Sequence, residues 1–201
     1  TYNVTSTEAN STFRCELAGE NQGVVFPAAD CPGGSKPAFT DLADDIYLLT
    51  VTALDPGTNP DPEPATVGFE IDATAPETTG PAVDLGSGET EDRITGSRRI
   101  TVAFAGTDNR RMDGFECRLD SELEEDWMVC SPPETFGGLV DGNHFLEIRA
   151  KDEAGNVDGD PLAVEWRIDN EPPVTVIESG PAAFTSEADP VVEFSSSPDA
   201  A

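Results

Sequence analysis

The chain has 201 residues, with 40 Asp and Glu against 11 Lys and Arg and a single His, for a formal net charge of −29. A surface this acidic repels nucleic-acid phosphates and anionic lipid, which argues against both as partners, and no apolar run approaches the ~20 residues of a membrane span. A hydrophobic share of 37% still permits buried cores, and 18 Gly with 17 Pro favour a turn-rich, all-β chain. The excess of acid suits a chain that lives among cations, in high salt or around bound calcium.

In chain order, the first signals are two N-glycosylation sequons, Asn3-Val4-Thr5 inside a predicted strand and Asn10-Ser11-Thr12 in a loop. Phe13-Arg14-Cys15-Glu16-Leu17 reads as a short strand, and Cys31 follows it. Leu49, Val51 and Ala53 alternate, as do Val67, Phe69 and Ile71, and a Gly- and Pro-bearing turn separates the two runs. Beyond Pro76, residues 98–105 and 115–119 are short β runs. Cys117 and Cys130 form a second local pair. Residues 143–151 place Leu146, Ile148 and Ala150 on one face and Glu147, Arg149 and Lys151 on the other. Residues 162–169 set Val164, Trp166 and Ile168 against Glu165, Arg167 and Asp169. Between them, Asp152-Glu153-Ala154-Gly155-Asn156 reads as a hairpin turn in which Gly155 or Asn156 supplies the positive φ.

These elements repeat. Phe39 and Leu42 recur as Phe136 and Leu139 at a shift of 97 positions by the numbering. The same shift carries Leu49, Val51 and Ala53 onto Leu146, Ile148 and Ala150. It also carries Asp55, Asn59, Asp61 and Asp72 onto Asp152, Asn156, Asp158 and Asp169, and Pro76 onto Pro173. A further copy opens near Val191-Val192-Glu193-Phe194, which is similar to Thr101-Val102-Ala103-Phe104. Internal repetition is the leading signal. It predicts tandem units at 1–76 (lacking a first strand) and 77–173. Residues 174–201 would then be the first strands of a further repeat or a tail exchanged between subunits. The chain starts and stops at about the same point of the repeat, as a window on a longer array would.

Short alternating strands over about 90–100 residues predict antiparallel β-sandwiches of the immunoglobulin or fibronectin-III type. Leu42 to Tyr47 has the spacing of a tyrosine corner, in which the phenol bonds back to the upstream turn. In the second unit His144 stands in that place, which reads as a ring tying down a turn rather than as a catalytic base. Metal-type CxxC spacing is absent, so the cysteines read as two local disulfides, Cys15–Cys31 and Cys117–Cys130, in an oxidising compartment. Each closes a loop of roughly 13–17 residues, worth about 3 kcal/mol.

Residues 115–173 also carry Phe-x-Cys-x-Leu, Cys-x-Pro, Asp-Gly-x-His, Arg-Ala-x-Asp-x-Ala-Gly-Asn-x-Asp, Trp-x-Ile-Asp and a Pro-Pro junction. This set resembles the bacterial immunoglobulin-like tandem repeat of large secreted and cell-surface proteins of adhesin type. The first unit departs from it where Pro56-Gly57-Thr58 replaces Glu-Ala-Gly and Phe69 replaces Trp. The resemblance implies an extracellular stalk, spacer or adhesin module, and no reaction.

No phosphate loop, nucleophile elbow or His-Glu-x-x-His motif is present, and the chain is expected not to be an enzyme. Calcium is the sharper expectation, with Asp152, Asn156, Asp158 and Asp169 as ligands in one unit and Asp55, Asn59, Asp61 and Asp72 in the other. The same residues also serve as ordinary turn formers in a solvated hairpin. Resemblance further implies that calcium at repeat junctions stiffens such rods. The expected partners are neighbouring repeats or identical subunits end to end. The alternative is a glycan or protein ligand, for which Trp127 is the candidate aromatic.

Overall fold

The computed structural model describes residues 3–32, 36–86, 93–186 and 188–196; the last five positions of the expected 174–201 segment lie outside the described residues. The chain forms two compact units. The first comprises Thr1–Glu77, Gly106–Gly114 and Arg149–Asp160, and the second Thr78–Ala105, Phe115–Ile148 and Pro161–Ala201. Among the described residues, all regular elements are strands apart from one 3-10 turn at Glu124–Asp126. Among the described residues no helix is long and apolar enough to cross a membrane.

The first unit holds one antiparallel sheet made of β1 (Thr12–Gly19), β2 (Gly23–Asp30), β3 (Asp45–Leu54) and β4 (Ala65–Ile71), in the order β2-β1-β3-β4. Cys15, Leu17, Tyr47, Leu49 and Val51 form its buried face, joined by Cys31 through the Cys15–Cys31 disulfide. Val4, Phe39 and Leu42, from segments outside the strands, pack against that face. Asn3 is exposed and lies outside any strand, contrary to the strand expected there.

The second unit is a sandwich. One layer is β5 (Glu77–Asp84), β7 (Arg99–Thr107) and β10 (Glu134–Gly137), ordered β10-β7-β5. The other is β6 (Ile94–Thr95), β8 (Met112–Leu119), β9 (Met128–Cys130), β11 (Gly142–Asp152) and β12 (Leu162–Ile168), ordered β6-β12-β11-β8-β9. Ile100, Val102 and Phe104 of β7 meet Leu146 and Ile148 of β11, and Val164, Trp166 and Ile168 of β12, in a single core. The Cys117–Cys130 disulfide joins β8 to β9 inside it. This is the immunoglobulin and fibronectin-III layer arrangement expected from sequence. The expected register holds as well: Leu146, Ile148 and Ala150 are buried while Glu147 and Arg149 lie on the opposite face.

The two units differ where a second layer is present or missing. β12 lies between β6 and β11, and its inward Val164, Trp166 and Ile168 are 1–3% exposed. The matching strand β4 is a sheet edge, so Phe69 and Ile71, which alternation places on the inward face, are only half-buried. β10 is hydrogen-bonded to β7 alone. Its counterpart, residues 37–40, has no strand of the β7 kind beside it among the described residues and stays irregular, although Phe39 still reaches the core. A final pair, β13 (Thr175–Ser179) and β14 (Glu193–Ser196), forms a two-stranded antiparallel sheet, with Val176 45%, Ile177 70% and Phe194 73% exposed.

The β3–β4 and β11–β12 turns have the same construction despite the sequence departure. Asp55 accepts the backbone N–H of Asn59 at 2.8 Å and its side-chain amide at 2.8 Å. Asp152 does the same with Asn156 at 2.7 Å each. The left-handed residue is Gly155 at φ 97° in one turn but Thr58 at φ 68° in the other, and a β-branched residue is strained there. Thr58→Gly should therefore stabilise the first unit by up to about 1 kcal/mol, and Gly155→Thr should destabilise its own turn by about 1–2 kcal/mol. Urea unfolding of the two variants against the parent chain checks both signs.

Candidate functional site

The sequence-derived calcium ligands do not gather as two separate sets. In the first unit Asp55, Asn59 and Asp61 sit at one end of the β3–β4 hairpin, and Asp72 follows β4 at the other. A seven-residue strand puts about 24 Å between those ends. Asp61 accepts the N–H of Glu63, Asp158 that of Asp160, and Asp169 that of Glu171, each capping a local turn.

The structure instead brings Asp72 and Asp152 together with Asp108, which the sequence reading missed. One carboxylate oxygen from each lies within 4.8 Å of the others; Asp72 lies in the first unit's Thr1–Glu77 segment, Asp108 in its Gly106–Gly114 segment and Asp152, the last residue of β11, in its Arg149–Asp160 segment. Two oxygens each ~2.4 Å from one ion are at most about 4.8 Å apart, so the spacing suits a hard cation. Asp152 is buried and fixed by the N–H groups of Gly155 and Asn156, at 2.6 and 2.7 Å. Asn156 also donates to the carbonyl of Asp72 at 3.1 Å, tying that strand end to the turn. Asp108 accepts the Arg110 N–H through Oδ2 at 2.7 Å, while its Oδ1 is buried with no hydrogen-bond partner. Burial pushes the Asp72 carboxyl above its ordinary value, and the charges of Asp108, Asp152 and Asp44 add to this against one bond from Thr74. The cluster thus presents crowded anionic oxygen that the described side chains do not neutralise. Asp108 lies just after β7 and Asp152 closes β11, and the turns after those two strands share one end of an immunoglobulin-type sandwich, a signal carried by the fold and not by any local pattern.

The two corners are as the repeat predicts. Tyr47 donates its hydroxyl to Ala43 O at 2.8 Å. His144 Nε2 lies 2.8 Å from Val140 O, and its Nδ1 lies 2.8 Å from Asp120 Oδ2. The ring is buried and stacked on Trp166, so it is a structural group and not an exposed base. Trp127 is half-buried beneath the Arg118 guanidinium, 4.6 Å from the ring centroid, and its N–H donates to Glu124 at 3.2 Å. One ring face and the polar edge are thereby engaged, which leaves a poor glycan platform. Asn3 and Asn10 are both exposed, and Asn10 has φ 61° just ahead of β1.

No protein-family model matches the chain, and no curated sequence is significantly similar to it. Among solved structures it is similar to the fibronectin(III)-like modules of Clostridium thermocellum CbhA, at 13% identity and TM-score 0.41, over 82% of each chain. It is also similar to a tetra-tandem repeat in the extending region of a large adhesion protein, at 14% identity and TM-score 0.32. That match covers 96% of this chain and 57% of the other.

Asp72 gives a test of the crowding. Ionising a carboxyl whose folded pKa is raised works against folding, so stability falls as pH climbs from the ordinary 3.8 through the folded midpoint. In the presence of chelator at pH 7, Asp72→Asn should unfold at higher denaturant than the parent, and the gap should close toward pH 3. Matched denaturation curves at the two pH values measure it.

Proposed function

We propose that this chain is a stretch of a non-enzymatic extracellular repeat that forms a rod, stalk or surface filament of adhesin type. The observation that carries the reading is the recurrence of one built unit. The same Asp–Asn turn, the same corner bond to a carbonyl four residues upstream and one local disulfide recur in each half of the chain. Repeats that contact mainly their neighbours build extended assemblies. On this reading, residues 1–76 and 77–173 are successive repeats, and 174–201 opens another. β13 and β14 match β5 and β7 by repeat phase, and their apolar side chains would be covered by a further repeat, in the same chain or in an identical neighbouring subunit. The disulfides suit a secreted or cell-surface location.

Small-angle scattering tests the rod. Residues 1–173 followed by one, two and three more copies of 77–173 should gain the same increment in maximum dimension with each copy. Growth with the cube root of mass would overturn it.

The cluster of Asp72, Asp108 and Asp152 supports calcium as the cation of such a repeat. Binding would turn mutual repulsion, about 1–3 kcal/mol per pair at this spacing, into shared coordination. Calorimetric titration of Ca²⁺ into the chelator-treated chain at 0.15 M salt should show a site that Asp108→Asn abolishes and Asp55→Asn leaves intact. Equal binding by both variants would remove the cluster from the reading.

A further inference from the structure

The chain's one histidine occupies a corner that the companion unit fills with a tyrosine. A phenol needs one acceptor, and Tyr47 donates to Ala43 O while receiving the side-chain amide of Gln22 at 3.0 Å. His144 faces two acceptors instead. Nε2 meets the Val140 carbonyl and Nδ1 the Asp120 carboxylate, both at 2.8 Å, and the side chain is 5% exposed. A neutral imidazole carries one N–H and one lone pair, so it can satisfy only one of these oxygens. Only the imidazolium donates to both. The ring is also stacked on Trp166, with centroids 5.3 Å apart and planes 23° from parallel, an arrangement that favours a cation over an aromatic face.

We propose that the corner of the second unit is a protonation-dependent latch. In it, imidazolium His144 ties the start of β11 to the Val140 loop and to Asp120 together, and the neutral ring lets one of the two go. The surrounding groups agree with a held cation. Asp120 also accepts the Phe145 N–H at 2.9 Å through its other oxygen, which fixes the carboxylate in place. Glu122 and Glu165 line the same depression with Arg93 and Arg167, and Arg98 beside the loop is paired with Asp141 at 3.0 Å. Burial pulls the His144 pKa down, but the Val140 bond and the bond and charge of Asp120 outweigh it, leaving the value above the ordinary 6.5.

The consequence for folding has a definite sign. Below about pH 6.5 the unfolded chain's histidine is protonated as well, and the latch contributes in full. As pH rises through the folded midpoint the contribution is lost. The corner of the first unit has a tyrosine in place of the histidine. The latch thus makes the second unit less stable in mildly alkaline solution than the same unit is below pH 6.5, and it stands independently of the rod reading.

Because His is 1 in the sequence, long-range ¹H–¹⁵N spectra of the ¹⁵N-labelled chain report this ring alone. Both ring nitrogens should be protonated at pH 6, and the midpoint should lie above 6.5. A midpoint at or below 6.5 would overturn the proposal. The energetic arm uses Trp127→Phe, so that Trp166 alone reports unfolding of its unit in urea. Between pH 6.5 and 9 the folding constant should fall by about tenfold for each pH unit of midpoint elevation, and His144→Tyr should abolish the fall. Parallel pH profiles for the two chains would overturn the latch even if the ring is charged. Should His144→Tyr not fold, His144→Gln replaces it with a side chain that does not titrate, and the spectroscopic arm is unaffected.

Discussion

A β-sheet can leave one face to water, but its apolar face needs a second layer, and this requirement organises both units. In the second unit the β5, β7 and β10 layer covers β11 and β12, and Leu146, Ile148, Val164, Trp166 and Ile168 are almost wholly removed from water. In the first unit, among the described residues, no such layer stands opposite β3 and β4. Side chains from irregular segments, Val4, Phe39 and Leu42, pack there instead. β4 therefore keeps half-buried Phe69 and Ile71, and the segment corresponding to β10 has no ladder to join.

Where the layers are given, short polar devices fix the register. An aspartate at the start of each hairpin turn gathers the N–H groups of that turn, and a corner side chain ties the next-to-last strand to the loop before it. Each device satisfies backbone groups that a tight connection leaves without ladder partners. The turn tolerates loss of its glycine because the aspartate–asparagine bonds outweigh the strain at Thr58. For this reason the departure of Pro56-Gly57-Thr58 from Glu153-Ala154-Gly155 leaves the shape unchanged.

Much of this was legible in the sequence. Period-two alternation assigned the inward faces of β3, β11 and β12. Local cysteine spacing indicated both disulfides, and the offset between Tyr47 and His144 located both corners. The residues that evaded it share a cause. Asp108 reaches Asp72 and Asp152 through the fold, at positions 36 and 44 residues away by the numbering, and no local pattern marks that meeting. The sequence grouped Asp55 with Asp72 by repeat phase, but phase says nothing about which end of a strand a residue occupies. Likewise, the partial exposure of Phe69 depends on a neighbour strand and not on its own alternation.

The disulfides also set how far this chain can be drawn out. Cys15–Cys31 and Cys117–Cys130 lock spans of 16 and 13 residues. A chain pulled by its ends cannot unravel those stretches while the bonds last. At about 3.5 Å per residue they withhold roughly 55 and 45 Å of length. Each unit would unravel everywhere outside the locked span and then stop short by that length, and reduction of the bond would release it as a second, chemically gated step. The cross-links are thus a tether against mechanical loss as well as a clamp on the unfolded ensemble, with a reach set by where the cysteines fall along β1 and β8.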